Sequence, residues 1–194
     1  MNSTSIVSIP VFLIMIIISC SREKTGNAKK VNSKESVIES PVSVPAYLEA
    51  ALNGNSDNVK EFIAGGLAVD ATDKNGSTAM MLAAYNGHTE IVKYLLGNGA
   101  NVNHCDINNR TALMYASSGP ANETVKLLLK AGAKINVTDN IEGFTAIMFA
   151  AAEGQVEVFK TLMDAGADIS IKDNDGETAR DFANNNGHSA ILKL

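Results

Sequence analysis

Tryptophan is absent from these 194 residues, and aromatic side chains of all kinds make up only 5%. A core with so few rings must be filled by Ala, Leu, Ile, Val and Met, which suits thin helices packed closely together. Cysteine is nearly as scarce. Cys20 and Cys105 are too few for a disulfide framework, so cross-links do not organise the fold. Basic charge is short as well: 16 Lys and Arg stand against 21 Asp and Glu, a formal net charge of −5. Residues 1–20 carry no charged side chain, residues 21–40 hold five Lys/Arg against three Glu, and residues 41–194 are left with −7. An acidic folded portion excludes nucleic acid as a partner, because phosphate binding draws on a basic surface.

Patterns that carry chemistry are missing too. There is no G-x-S-x-G, no glycine-rich phosphate cradle, and no Cys/His pair with an orienting group. Asp173 and Asp175 are paired carboxylates, but they fall where turn chemistry alone calls for Asp. His104 stands beside Cys105 and near Asp106. Three neighbours in sequence cannot surround a tetrahedral ion, and no second cluster supplies the remaining ligands. No catalytic residue, metal site, cofactor or small-molecule substrate is therefore expected.

What is present is repetition. Thr78–Asp106 ("TAMMLAAYNGHTEIVKYLLGNGANVNHCD") aligns with Thr111–Asp139 and Thr145–Asp173, and a shortened copy starts at Thr178. The leading threonines lie 33, 34 and 33 residues apart, and Pro45–Asp73 is a weaker copy in the same register. A fixed period of this size marks a stacked array in which each unit needs neighbours to bury its faces.

Within a unit, Thr suits the N-cap of a short helix that ends at Gly87, Gly154 or Gly187. A second helix opens on a capping or acidic residue, and Ile91, Val92, Leu95 and Leu96 form its buried stripe. Gly99, Gly132 and Gly166 stand where a left-handed residue closes that helix. A polar link then reaches Asp73, Asp106, Asp139 or Asp173, followed by a turn through Gly76, Asn109, Gly143 or Gly176. Asn109 fits that series because Asn is the non-glycine residue that best tolerates positive φ. Lys60, Lys93, Lys126, Lys160 and Lys193 share one register position. Asp57, Glu90, Glu123 and Glu157 lie three residues before the first four, so the column reads as a solvated, charge-paired outer face.

The turn "DKNGST", the Thr-Ala tetrads, "NGH" between helices, "IVKYLL" and "GANVN" together resemble the ankyrin repeat. The resemblance covers residues 41–194 and implies an all-α ankyrin-repeat solenoid of about five helix-turn-helix units with β-turn or hairpin links. The units fall at about 41–73, 74–106, 107–139, 140–173 and 174–194, with the short fifth as a cap and Glu49–Asn58 suited to the opposite cap. Three departures stand out. Met81, Met114 and Met148 replace the tetrad His, which should weaken its hydrogen bonding to Thr but spare the packing. "SSGPAN" moves the inter-helix glycine one place early and puts Pro120 in its slot. "DNIEGFT" inserts one residue. His88 and His188 hold a position at which the family favours a structural His.

The resemblance implies a non-catalytic module that holds a protein partner in a concave groove lined by turn tips and the ends of first helices. Carried over position by position, the turn residues are Lys74, Asn75 and Ser77, then Ile107, Asn108 and Arg110. The next two turns contribute Ile141, Glu142 and Phe144, then Asn174, Asp175 and Glu177. The helix ends supply Tyr85, Asn86, Ser118, Glu153, Asn185 and Asn186. Tyr85, Arg110, Ile141 and Phe144 are marked out because aromatic residues and Arg dominate interface hot spots. Cys105, just before a turn Asp, is read as a small, inert loop residue.

Val11–Ile18 is an unbroken apolar run of eight. As a helix, Ile6–Cys20 would span about 22 Å, short of the ~30 Å of a bilayer core. "IISC" (Ile17–Cys20) resembles the bacterial lipoprotein box, although no Lys or Arg precedes the apolar core. The resemblance implies a signal peptide over residues 1–19 and lipid on Cys20. Residues 20–40 then read as a flexible tether with a reach of about 25 Å. The expectation is a monomeric protein lipid-anchored in a bacterial cell envelope, on the periplasmic or surface side. A structural envelope protein, or a translocated effector with an uncleaved anchor, is the alternative.

Overall fold

The computed structural model describes residues 43–194; the signal-peptide segment, Cys20 and the tether lie outside the described residues. Ten helices and no strand occur among the described residues. They form five pairs: α1 (Val44–Leu52) with α2 (Ser56–Ala64), α3 (Ala79–Tyr85) with α4 (Thr89–Gly97), and α5 (Ala112–Ser117) with α6 (Asn122–Lys130). Then come α7 (Ala146–Ala152) with α8 (Val156–Asp164), and α9 (Ala179–Asn185) with α10 (Ser189–Leu192).

Each first helix packs on the first helix of the next pair, and the second helices stack in a looser outer row. Alanine makes this possible. Ala50, Ala83, Ala116, Ala150 and Ala183 occupy one column, all buried, so helix backbones approach closely with no side chain to spare between them. Val92, Leu95, Val125, Leu128, Phe159 and Leu162 fill the layer between the two rows. Burying each such side chain stabilises the array by about 1.5–3 kcal/mol.

The termini of the first helices follow from their threonines. Thr78, Thr111 and Thr178 are extended, and each side chain accepts the amide three residues on. Methionine contributes more here than expected: the Thr78 N–H donates to Met81 Sδ at 3.5 Å and the Thr145 N–H to Met148 Sδ at 3.4 Å. A polarizable sulfur thus closes the cap as a weak acceptor. At the fourth tetrad Asp181 does the same work with a carboxylate, accepting from Thr178 N at 2.8 Å and from its hydroxyl at 2.6 Å. Those bonds hold the Asp181 carboxyl below its ordinary pKa. Thr145 Oγ1 is buried without a hydrogen-bond partner among the described residues.

His88 and His188 act as structural donors. Each Nε2–H donates at 3.0 Å to a carbonyl of the preceding unit, Leu52 O and Ala152 O respectively, and Asn86 and Asn186 donate to the same oxygens. The rings lie over Gly54 and Gly154, where an added Cβ would come within 2.6 Å of the imidazole. Asn109 has φ of 57°, alone among the described non-glycine residues in being positive.

On the outer face Lys60, Lys93 and Lys126 pair with Asp57, Glu90 and Glu123 at 3.5, 3.9 and 2.8 Å. Lys160 departs from the expected pairing with Glu157 and reaches forward to Asp164 at 3.0 Å. No helix among the described residues is long and apolar enough to cross a membrane.

Candidate functional site

Four turns carry the positions of interest, and an aspartate builds each. In the first, Asp73 Oδ1 accepts from Asn75 N and Ser77 N at 2.8 and 2.9 Å. In the second, Asp106 Oδ1 accepts from Asn108 N and Arg110 N at 2.8 and 2.9 Å. In the fourth, Asp173 Oδ1 accepts from Asp175 N and Glu177 N at 3.0 and 2.7 Å. The turn is wrapped around one carboxylate oxygen, the Asx-turn use of Asp.

The tips are then bonded to one another. Ile107 N donates to Asn75 O, Asn140 N to Asn108 O and Asn174 N to Glu142 O, at 2.9, 3.0 and 2.9 Å. Asn140 and Asn174 side chains add bonds to Ile107 O and Ile141 O. These links fix the tips as one row with a fixed order of side chains.

The third turn holds the inserted residue. Asn108 O and Glu142 O play the same part in successive links, as do Ile107 O and Ile141 O, so the extra residue falls at Asn140–Ile141. Asp139 Oδ1 accommodates it by accepting from four consecutive amides, Ile141 to Phe144, at 3.0–3.3 Å. Its Oδ2 is held by Arg110 Nε at 3.0 Å, in an ion pair with 7% and 0% of the two side chains exposed. The Arg110 guanidinium also lies 5.3 Å from the Phe149 ring centroid.

Eighteen residues were expected to face a partner, and they divide. Lys74, Asn86, Ile107, Ile141, Glu142, Glu153, Asn174, Asp175, Asn185 and Asn186 are exposed; Asn75, Asn108, Ser118, Tyr85, Phe144 and Glu177 are half-buried. Two are placed otherwise. Arg110 is 6% exposed because the next unit's Asp139 draws it inward, so it braces the inserted turn instead of meeting a partner directly. Ser77 is 8% exposed because its backbone closes the first turn on Asp73.

Beneath the tips runs an aromatic strip. Tyr85 meets Tyr115 edge-on at 6.4 Å between centroids, Phe144 meets Phe149 at 5.3 Å, and Phe144 meets Phe182 at 4.7 Å. The Tyr115 hydroxyl donates to Asp106 Oδ2 at 2.8 Å, and burial, then that carboxylate, push its pKa well above the ordinary phenol. Tyr115, Phe149 and Phe182 escaped the sequence reading. Their signal was the shared column Leu82, Tyr115, Phe149, Phe182, where rings replace an aliphatic residue from the third unit onward.

At the other end of the helix pairs, a cleft of about 480 Å³ lies between the second and third units, lined by Tyr85, Gly87, Pro120 and Ala121 among others. Cys105 is half-buried; burial, then Asp106, push its thiol pKa up, which lowers its thiolate fraction. His104 belongs to no cluster able to hold a metal ion among the described residues. The family model described as "Ankyrin repeats (3 copies)" matches residues 48–139 and residues 121–194. No curated protein matches the chain.

Proposed function

Because the chain belongs to the ankyrin-repeat family, whose repeats are protein–protein interaction modules, we propose that it is a non-catalytic, monomeric holder of one protein partner, lipid-anchored through Cys20. The row of hydrogen-bonded tips carries this reading. It presents Lys74, Ile107, Ile141, Glu142 and Asp175 to solvent on a rigid backbone, and none of these side chains is needed to build the turns. A rigid array with a varied rim suits partner binding, since a pre-ordered backbone loses little entropy on association. The concave groove would lie between these tips and the exposed ends of the first helices, with Asn86 and Glu153 on its far margin.

Photo-crosslinkers placed at Lys74, Tyr85 and Glu153 of the full chain in cells should trap one protein repeatedly. Crosslinkers at Lys93 and Lys126 on the outer face should trap none in common with them. The same yield from both faces, or no adduct from the groove, would sink the assignment.

The anchor rests on sequence: the short apolar run, "IISC", and the polar segment that follows. Two or more acyl chains would hold the protein firmly where one is marginal. Labelled palmitate should enter the native chain and not Cys20→Ala, and equal incorporation by both would refute it. Sedimentation of the full chain tests the monomer.

A further inference from the structure

We infer that the adjoining tips bearing Ile107 and Ile141, with their acidic margin, accept a cationic amphipathic segment of a partner protein. This rests on the partner-binding reading of the same face and specifies the chemistry of the partner. Large apolar side chains are exposed at few described positions, and two of them, Ile107 at 62% and Ile141 at 42%, stand on neighbouring turns. A hydrogen bond from the Asn140 side chain to Ile107 O at 3.2 Å ties those turns together one residue from Ile141.

The fold does not require either isoleucine. Ile141 stands in the turn enlarged by one residue, and the unit accommodates that turn with a buried brace, Asp139 holding four amides while Arg110 holds Asp139. Other turns of this chain place Lys74, Asn75 or Asp175 at their tips, so a turn is satisfied by polar residues.

The margin sets the sign of the partner. Glu142 follows Ile141 directly, Asp175 stands on the next tip and Glu153 caps the C-terminus of α7, all exposed. The nearest cation in the second and third turns, Arg110, is already committed to Asp139 and the Phe149 ring. Residues 41–194 carry −7 in all. The apolar pair is bordered by Glu142 and Asp175 on the Ile141 side and by Lys74 on the Ile107 side, so carboxylates outnumber the cation. This suits Leu- or Ile-type anchors flanked by Lys or Arg, whereas an acidic segment would meet like charge at the Ile141 end. Half-buried Phe144 and Phe182 in the strip beneath offer ring faces of the kind Arg110 already uses.

Three dye-labelled peptides of equal length serve as probes on the full chain by fluorescence anisotropy: an amphipathic Leu/Lys peptide, its Leu/Glu counterpart, and an all-Lys peptide. The Leu/Lys peptide should bind at least about tenfold tighter than either of the others. Ile107→Ser with Ile141→Ser should weaken it by about tenfold, and Glu142→Gln with Asp175→Asn should weaken it and flatten its salt dependence. Asp57→Asn with Glu90→Gln, on the outer face, should change nothing; equal loss there would expose unspecific attraction and overturn the proposal. So would binding indifferent to the sign of the peptide, or a full chain that dimerises through the two isoleucines. Tight Leu/Glu binding lost on Ile→Ser substitution would sink the cationic partner alone, while failure of the groove crosslinks would sink the module itself.

Discussion

Arg110 shows how one side chain fixes the work of several others. Its Nε bonds Asp139, which in turn organises four amides of the enlarged turn, and its guanidinium covers Phe149. Truncation leaves a buried carboxylate oxygen without its counter-charge, which costs roughly 3–5 kcal/mol. Arg110→Ala should therefore lower the urea midpoint strongly and raise amide exchange at residues 141–144 first. Exchange confined to the second turn would show that the brace acts elsewhere. Tyr115 is a second case. Its folded-state pKa lies above the ordinary value of 10.0, through burial and Asp106. A raised folded pKa means that this stabilisation is complete below pH 10 and fades as pH climbs beyond it, because the unfolded chain then gives up the proton more readily. Tyr115→Phe keeps the ring against Tyr85 and removes the hydroxyl bond. It should cost about 0.5–1.5 kcal/mol at neutral pH and make the alkaline loss of stability shallower, as denaturant titrations at pH 7 and above pH 10 would measure. An unchanged alkaline slope would refute the link.

At the scale of elements, the helices were legible because their signals are local. Thr78, Thr111 and Thr178 cap where the sequence placed caps, Gly87, Gly99 and Asn109 take positive φ, and the period supplies the pairing. Burial at the turns was not legible, since Arg110 is drawn in by a carboxylate 29 residues away. The third unit explains its own anomaly. Gly119, Pro120 and Ala121 replace the Asn-Gly-His that in the second and fifth units donates to the preceding unit's carbonyl. Gly87 still stands under that position, 3.3 Å from Ala121 Cβ when given a Cβ of its own, just as Gly54 stands under His88. The cleft beside Tyr85 occupies the space that the missing imidazole would fill. Gly119→Asn, Pro120→Gly and Ala121→His together should restore two bonds to Tyr85 O and stabilise the fold by about 1–2 kcal/mol. Thermal melts would read this as a rise of several degrees. A fall in melting temperature would mean that Pro120 rigidifies the link more than the clamp would.

For the array as a whole, units touch only their neighbours, so a defect should travel no further than the next interface. The rim was legible by alignment, whereas the rings of Tyr115, Phe149 and Phe182 were not singled out, because their strip exists only once units are stacked. The same one-dimensional logic makes the last pair the place to test it. α10 has four residues and buries Ile191 alone, against α9 and α8. Ile191→Ala removes that contact at a cost of about 2–5 kcal/mol, more than so short a helix can retain by itself. Hydrogen exchange of the full chain should then show lost protection at residues 179–192, a smaller loss in α8, and unchanged protection in α1 to α4. Protection falling equally in all five pairs would mean that the array folds as a single cooperative block, and the nearest-neighbour picture would fail for this protein.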